Sequence, residues 1–519
     1  MQGVMIGLTA GALALALGYG EVARPAAQER YDGAIRGVAD VRQAREVLAA
    51  ARGGPAVLCV LAQEAVESRH GRWAMADTPE GAADTTGAAR WALSERPSEA
   101  DLPVLLEGLE DPDPCVRGIA ARVAAHAGEA AATPGLLRVL GASAPGARAA
   151  AAVALGLADA ERAVQALIGR LSDAAAEVRA SVAWALGALD DSRAAAPLRG
   201  VLRDADPSVR AAAALALGSL QDTGVVQALA QLLRNDPDER VRLAAAAALG
   251  RLEYREGVPA LGAALGDRSA ALRRTAAWAL GQIEDAAAVP HLARVLNDRD
   301  EQVREMAVWA LGEIEDRDGV GPLAEVLRGD DSPEIRRMAA WALGQIEDRA
   351  AVEPLATAVR SDREPRVRRM AVWALGQIED AGAVPVLTEI LRDSSAEVRS
   401  MALWALGEVE SPRAVDAIVR ALSDESPGVR VRAAWALGQI ESGAAVPGLR
   451  SALRDADSQV RRTSLWALSQ IETEAAMSAI AEALSDADTD VRREAVRALG
   501  RGPNPMPMPM PMPMPRPFP

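Results

Sequence analysis

Three kinds of residue in this chain could carry chemistry by type and spacing. The first is the set of metal ligands and nucleophiles: His70, His126 and His291, with Cys59 and Cys115. A zinc or acid–base centre needs several such groups to converge on one point. Two cysteines and three scattered histidines do not supply them, so no catalytic residue, metal or cofactor is expected. Cys59 lies on an apolar face and reads as a buried thiol. The second kind is a series of Asp and Arg six residues apart, able to form salt bridges. The third is a row of tryptophans able to stack or to bind.

The background composition narrows the choice. The chain has 519 residues, half of them hydrophobic, and a formal net charge of −15. All 57 basic residues are Arg, and Trp supplies ten of the aromatics against three Tyr and one Phe. Ala, Gly and Arg suit close-packed helices and disfavour a large sheet. The acidic balance argues against nucleic acid, which needs a basic footprint.

The elements that would position these residues repeat. Trp278, Trp309, Trp341, Trp373, Trp404, Trp435 and Trp466 follow one another at 31 or 32 residues. The same step runs back through Ala247, Leu215, Trp184, Val153 and Arg122 to Trp91, and on to Arg497. Each unit reads as two helices. Residues 287–297 predict the first, with Pro290 in its first turn, where a missing N–H is tolerated. Val303, Ala307, Leu311 and Ile314 fall on one face of the second. Short connections make the two antiparallel neighbours. One hairpin cannot bury its apolar face alone, whereas a stack can. The expected fold is all-α, an α-solenoid of about thirteen repeats over 88–501.

The Asp–Arg ladder runs through the array as Asp298/Arg304, Asp330/Arg336, Asp362/Arg368 and Asp393/Arg399, and likewise in the other units. The unit of Arg148 breaks the rule with Ala142 at the acidic position. So regular a ladder reads as structural, Arg reaching a carboxylate and nearby carbonyls.

The VRxxAAWALGQIED helix, the AVxPL helix and the Asp–Arg pair resemble HEAT repeats, closest to the short phycobilisome-lyase HEAT-like type. The resemblance implies a protein-binding scaffold. It also admits two enzymes, since the family includes phycobilin lyases and deoxyhypusine hydroxylase. The hydroxylase holds two irons with His-Glu pairs, and no His-Glu dipeptide occurs here. A lyase-like pigment or cofactor enzyme remains the alternative, beside a sensor or regulatory module working with a membrane protein.

The Trp row sets the functional expectation. On a helical wheel Trp309 lies far from the Val303–Ile314 face, so it points away from its own hairpin partner. The resemblance places second helices on the concave surface. Met306, Met338, Met370 and Met401 precede their Trp by three residues, and a Gln or Glu follows each Trp by four. An aromatic row rimmed by polar groups marks an interaction surface. A non-enzymatic monomeric array binding a protein or extended peptide through these residues is therefore expected. Stacking of the indoles between units is the competing reading, and the two can coexist.

The ends differ from the array. Residues 1–20 read as an apolar export signal or membrane anchor, giving an exported, periplasmic or membrane-anchored protein, with a cytoplasmic one as the alternative. Residues 21–87 read as a short helical region, and the Pro/Met-rich 502–519 as a disordered tail.

Overall fold

In the computed structural model the described residues are 101–501. They are helical throughout, with no strand among them. The chain divides into two compact units, Met1–Ala279 and Leu280–Pro519. Within each, the described residues form a stack of helical hairpins, the solenoid that the period predicts.

One repeat shows how the sequence builds the hairpin. Ala286–Ala288 forms a 3-10 turn and Val289–Ala293 the first α-helix, with Pro290 in its first turn. This helix is shorter than the span 287–297 expected from periodicity. It tightens into three-residue bonds, Val295 N–H to the Leu292 carbonyl and Asp298 N–H to the Val295 carbonyl. That early closure brings Asp298 into the turn, where Oδ1 accepts from the Asp300 N–H at 2.9 Å. Asp300 then caps the second helix, Glu301–Ile314, by accepting from the Gln302 and Val303 amides. Capping of this kind contributes about 1 kcal/mol. Val303, Ala307, Leu311 and Ile314 are all buried, as their spacing predicts.

The exit from the second helix is unusual. Its closing residue adopts the left-handed conformation, where glycine is the common choice. Here that residue is Glu253, Glu284, Glu315, Glu347, Glu379, Glu410, Glu441 or Glu472, and Asp159, Asp190 or Gln221 in the earlier repeats, with φ between 48° and 54°. The following Asp begins the next 3-10 turn, as Asp316 does by accepting from the Asp318 N–H at 2.8 Å. An Ile-Glu-Asp string thus ends one hairpin and starts the next.

Consecutive second helices touch at the glycine three residues after the Trp position of the repeat, Trp184 or its equivalent Leu215. A Cβ on Gly187 would lie 2.6 Å from the Ala216 Cα, and one on Gly218 would lie 2.8 Å from the Ala248 Cα. The absent side chain sets how closely neighbouring hairpins approach.

Candidate binding face

The Arg ladder is structural, but its carboxylate partner is not the one that the six-residue spacing suggested. Arg304 Nη1 donates to the Asp298 backbone carbonyl at 3.0 Å, and Nε donates to Asp330 Oδ2 of the next repeat at 2.8 Å. Arg336 likewise bonds the Asp330 carbonyl and the Asp362 carboxylate, and Arg399 the Asp393 carbonyl and the Asp424 carboxylate. Arg368 donates to the Asp362 carbonyl at 3.0 Å. The expected pairs within a repeat are therefore corrected to pairs between repeats. In the repeats of Arg148, Arg179, Arg210, Arg304, Arg336, Arg399, Arg430 and Arg461 the fork ties the turn of its own hairpin to the turn of the next. The irregular repeat follows the same rule: Arg148 bonds the Ala142 carbonyl and the Asp173 carboxylate. Arg117, whose next-repeat position is Ala142, bonds the carbonyls of Asp111 and Pro112 instead. The Arg148 guanidinium holds the Asp173 carboxyl below the usual carboxylate range, against the opposing effect of burial. Arg179 does the same to Asp204, and Arg430 to Asp455.

The Trp row does not line an open groove. Trp278, Trp341, Trp373, Trp435 and Trp466 are buried, and Trp309 and Trp404 are half-buried. Of the methionines, Met338, Met370 and Met401 are buried and Met306 is half-buried. The expectation of exposed indoles is corrected, for a reason of shape. Each ring lays its benzo edge over the glycine of the preceding second helix. Trp341 Cζ3 lies 2.7 Å from where a Cβ on Gly312 would be, and Trp466 Cζ3 lies 2.4 Å from the same point on Gly438. Gly250/Trp278, Gly281/Trp309, Gly344/Trp373, Gly376/Trp404, Gly407/Trp435 and even the early Gly156/Trp184 repeat the contact. The indoles point away from their own hairpin, as the wheel predicts, and meet the next hairpin back.

What remains open on the second helices is the strip four residues to either side of the Trp. In the later unit it carries Arg337, Arg369, Val431 and Arg462 before the Trp and Glu313, Gln345, Gln377, Glu408, Gln439 and Gln470 after it, all half-buried. Arg369 pairs with Glu397 at 3.0 Å, and the Arg432 guanidinium lies 5.5 Å from the Trp435 ring centre. Burial pushes the Glu313 carboxyl above its ordinary range, and Glu284 and Glu315 push it the same way against the Trp309 indole N–H. Burial, Glu379 and Glu410 act alike on Glu408. In the earlier unit Ala149, Val153, Leu157, Trp184, Leu243 and Ala247 are half-buried, as are Ser219, Arg251 and Arg274 on the same strip.

No group of metal ligands forms among the described residues, and none of their helices is long and apolar enough to cross a membrane. His126 Nδ1 sits 2.7 Å from the Arg122 carbonyl. Residues 1–20, 21–87 and 502–519, with Cys59, His70 and Trp91, lie outside the described residues.

The HEAT-repeat family model matches in overlapping segments from 102–186 to 415–500, and the chain belongs to the HEAT-repeat family. No curated protein matches the chain. Among solved structures it is similar to an engineered protein at 24% identity and a TM-score of 0.38, over 72% of this chain and 99% of that one. It is also similar to human deoxyhypusine hydroxylase at 28% identity and 0.23, over 49% and 99%. The complex of CpcE and CpcF of phycocyanin lyase from Nostoc is similar at 24% identity and 0.27, over 43% and 92%.

Proposed function

We propose that this HEAT-repeat chain is a non-enzymatic scaffold that binds a protein or an extended peptide along the open strip of its second helices. One observation carries the reading. Two positions in each second helix hardly change between repeats: the buried Val at 209, 241, 303, 367, 398, 429, 460 and 491, and the ladder Arg that follows it. The next position, buried as Ala211 in the first of these repeats, lies on the open strip in the others and runs Leu243, Glu305, Arg369, Ser400, Val431, Arg462 and Arg493. The packing is copied from repeat to repeat while the open surface is diversified. A surface free of packing demands that differs in each repeat suits a partner that differs along its length.

The test compares the parent with a variant carrying Arg337→Ala, Arg369→Ala and Arg462→Ala in a pull-down from the native host. Proteins retained by the parent and lost from an equally stable variant are expected. The same set retained by both would sink the reading. The same proposal includes export or anchoring through residues 1–20, and a reporter fused after residue 20 that stays in the cytoplasm would remove it.

A further inference from the structure

The helix Glu239–Arg251 departs from its neighbours at two positions three residues apart. Arg251 occupies the strip position held elsewhere by Gln345, Gln377, Gln439 or Gln470. Tyr254 occupies the position of the capping Asp191, Asp222, Asp316, Asp348 or Asp380. Each departure works against the fold. Tyr254 makes no side-chain cap on the 3-10 turn Arg255–Gly257, and its ring is 42% exposed. Arg251 is a half-buried guanidinium whose one side-chain bond goes to a neutral group, Nη1 to Ser219 Oγ at 2.8 Å. Burial lowers its pKa from the ordinary arginine value, and no carboxylate counters the effect. The ladder arginines show the usual arrangement in this acidic chain: Arg210, in the preceding second helix, lies 2.7 Å from Asp236.

A guanidinium that is partly desolvated, without an anion, and held by one hydroxyl has donors left over for a carboxylate. On its own helix the strip carries Ala247 and Leu243, and the next second helix carries Arg274 at its strip position. Ser219 fixes the fork, and the Gln221 side chain donates to the Arg251 carbonyl at 2.8 Å. We propose that the second-helix face around Arg251 binds an extended apolar peptide segment through an Asp or Glu side chain in that segment, with Arg251 as the anion receptor. This assignment rests on the peptide-binding reading above and adds the partner's chemistry. Charge complementarity selects the occupant: a cation with no carboxylate of its own follows Leu243 and Ala247 along one helix.

The full chain is panned against a random dodecapeptide display library, and the most enriched peptide is synthesised with both ends blocked. The expected peptide carries an Asp or Glu flanked by apolar residues. Changing that acid to its amide weakens binding about tenfold or more, Arg251→Gln weakens it by the same factor, and the two changes together weaken it no further. Arg251→Gln and Tyr254→Asp restore the residues of the other repeats, so each variant melts at or above the parent temperature. Enriched peptides that lack an acid, or that bind the Arg251→Gln variant equally, overturn the receptor assignment and leave peptide binding standing. No enrichment over the bare-phage background overturns both. An Arg251→Gln variant that melts below the parent makes Arg251 a residue of the fold and also overturns the assignment.

Discussion

Arg304 and Asp330 belong to different repeats, yet the guanidinium Nε and the carboxylate Oδ2 lie 2.8 Å apart. A double-mutant cycle on Arg304 and Asp330 should give a coupling of about 1–3 kcal/mol, because the bond is charge-assisted and both groups are largely shielded. The cycle on Arg304 and Asp298 should give a much smaller value, since the Asp298 contact is to a backbone carbonyl that survives mutation. Urea titration of the four variants measures both. Equal couplings would restore the pairing within a repeat.

The glycine–tryptophan contact makes opposite predictions for two glycines in adjacent helices. Gly312→Ala places a methyl 2.7 Å from Trp341 Cζ3 and should cost about 1–3 kcal/mol. Gly321→Ala meets nothing within 4 Å on an exposed helical position and should stabilise by up to about 1 kcal/mol. Trp341→Ala should cost roughly 3–5 kcal/mol by emptying the contact. Hydrogen exchange localises each effect to its own repeats.

Fluorescence of single-Trp variants separates the two kinds of indole. Trp435, 2% exposed, should emit to the blue and resist acrylamide. The half-buried Trp309 and Trp404 should be quenched more readily. Uniform, strong quenching of all seven would return the row to an open groove.

Acid should act on two sets of carboxylates with opposite sign. Asp173, Asp204 and Asp455 titrate below the unfolded value, so their contribution is present above the usual aspartate range and is lost as the pH falls through their folded values. Glu313 and Glu408 titrate above it, so the fold gains stability as the pH falls through their raised values and loses it as the pH rises. Glu313→Gln should therefore flatten the pH dependence of the urea midpoint just above the ordinary glutamate range and leave the acid limb unchanged. An unaltered profile would show that Glu313 is not titrating in that window.

Much of the architecture is legible in the sequence because packing repeats with a fixed period. The buried face of 303–314, the proline at the start of 289–293 and the array itself all follow from spacing. Interactions between repeats are harder to read, since in a periodic sequence a partner six residues away and one a full period later look alike. The irregular repeat distinguishes them: Arg148 keeps its function although Ala142 has replaced its own Asp. The wheel placed the indoles correctly against one hairpin and omitted the second body that each helix touches. The signal was present: a glycine stands 28 or 29 positions before every Trp from Trp278 to Trp466. The left-handed Glu carries no such signal, because only glycine advertises that conformation.

The Arg–Asp link also gives the array a direction. Most repeats offer a guanidinium forward and a carboxylate backward, so the two ends of such a repeat are not equivalent. At the last described hairpin the forward fork turns inward, Arg492 Nη2 donating to its own Thr489 hydroxyl at 3.1 Å. A tandem duplication of a whole repeat that carries both groups inserts one donor and one acceptor and leaves the existing links matched. An insertion of any other length strands one of each. The chain can therefore lengthen by unequal recombination without redesign, and errors of copying are filtered by the same bond that holds its neighbours together.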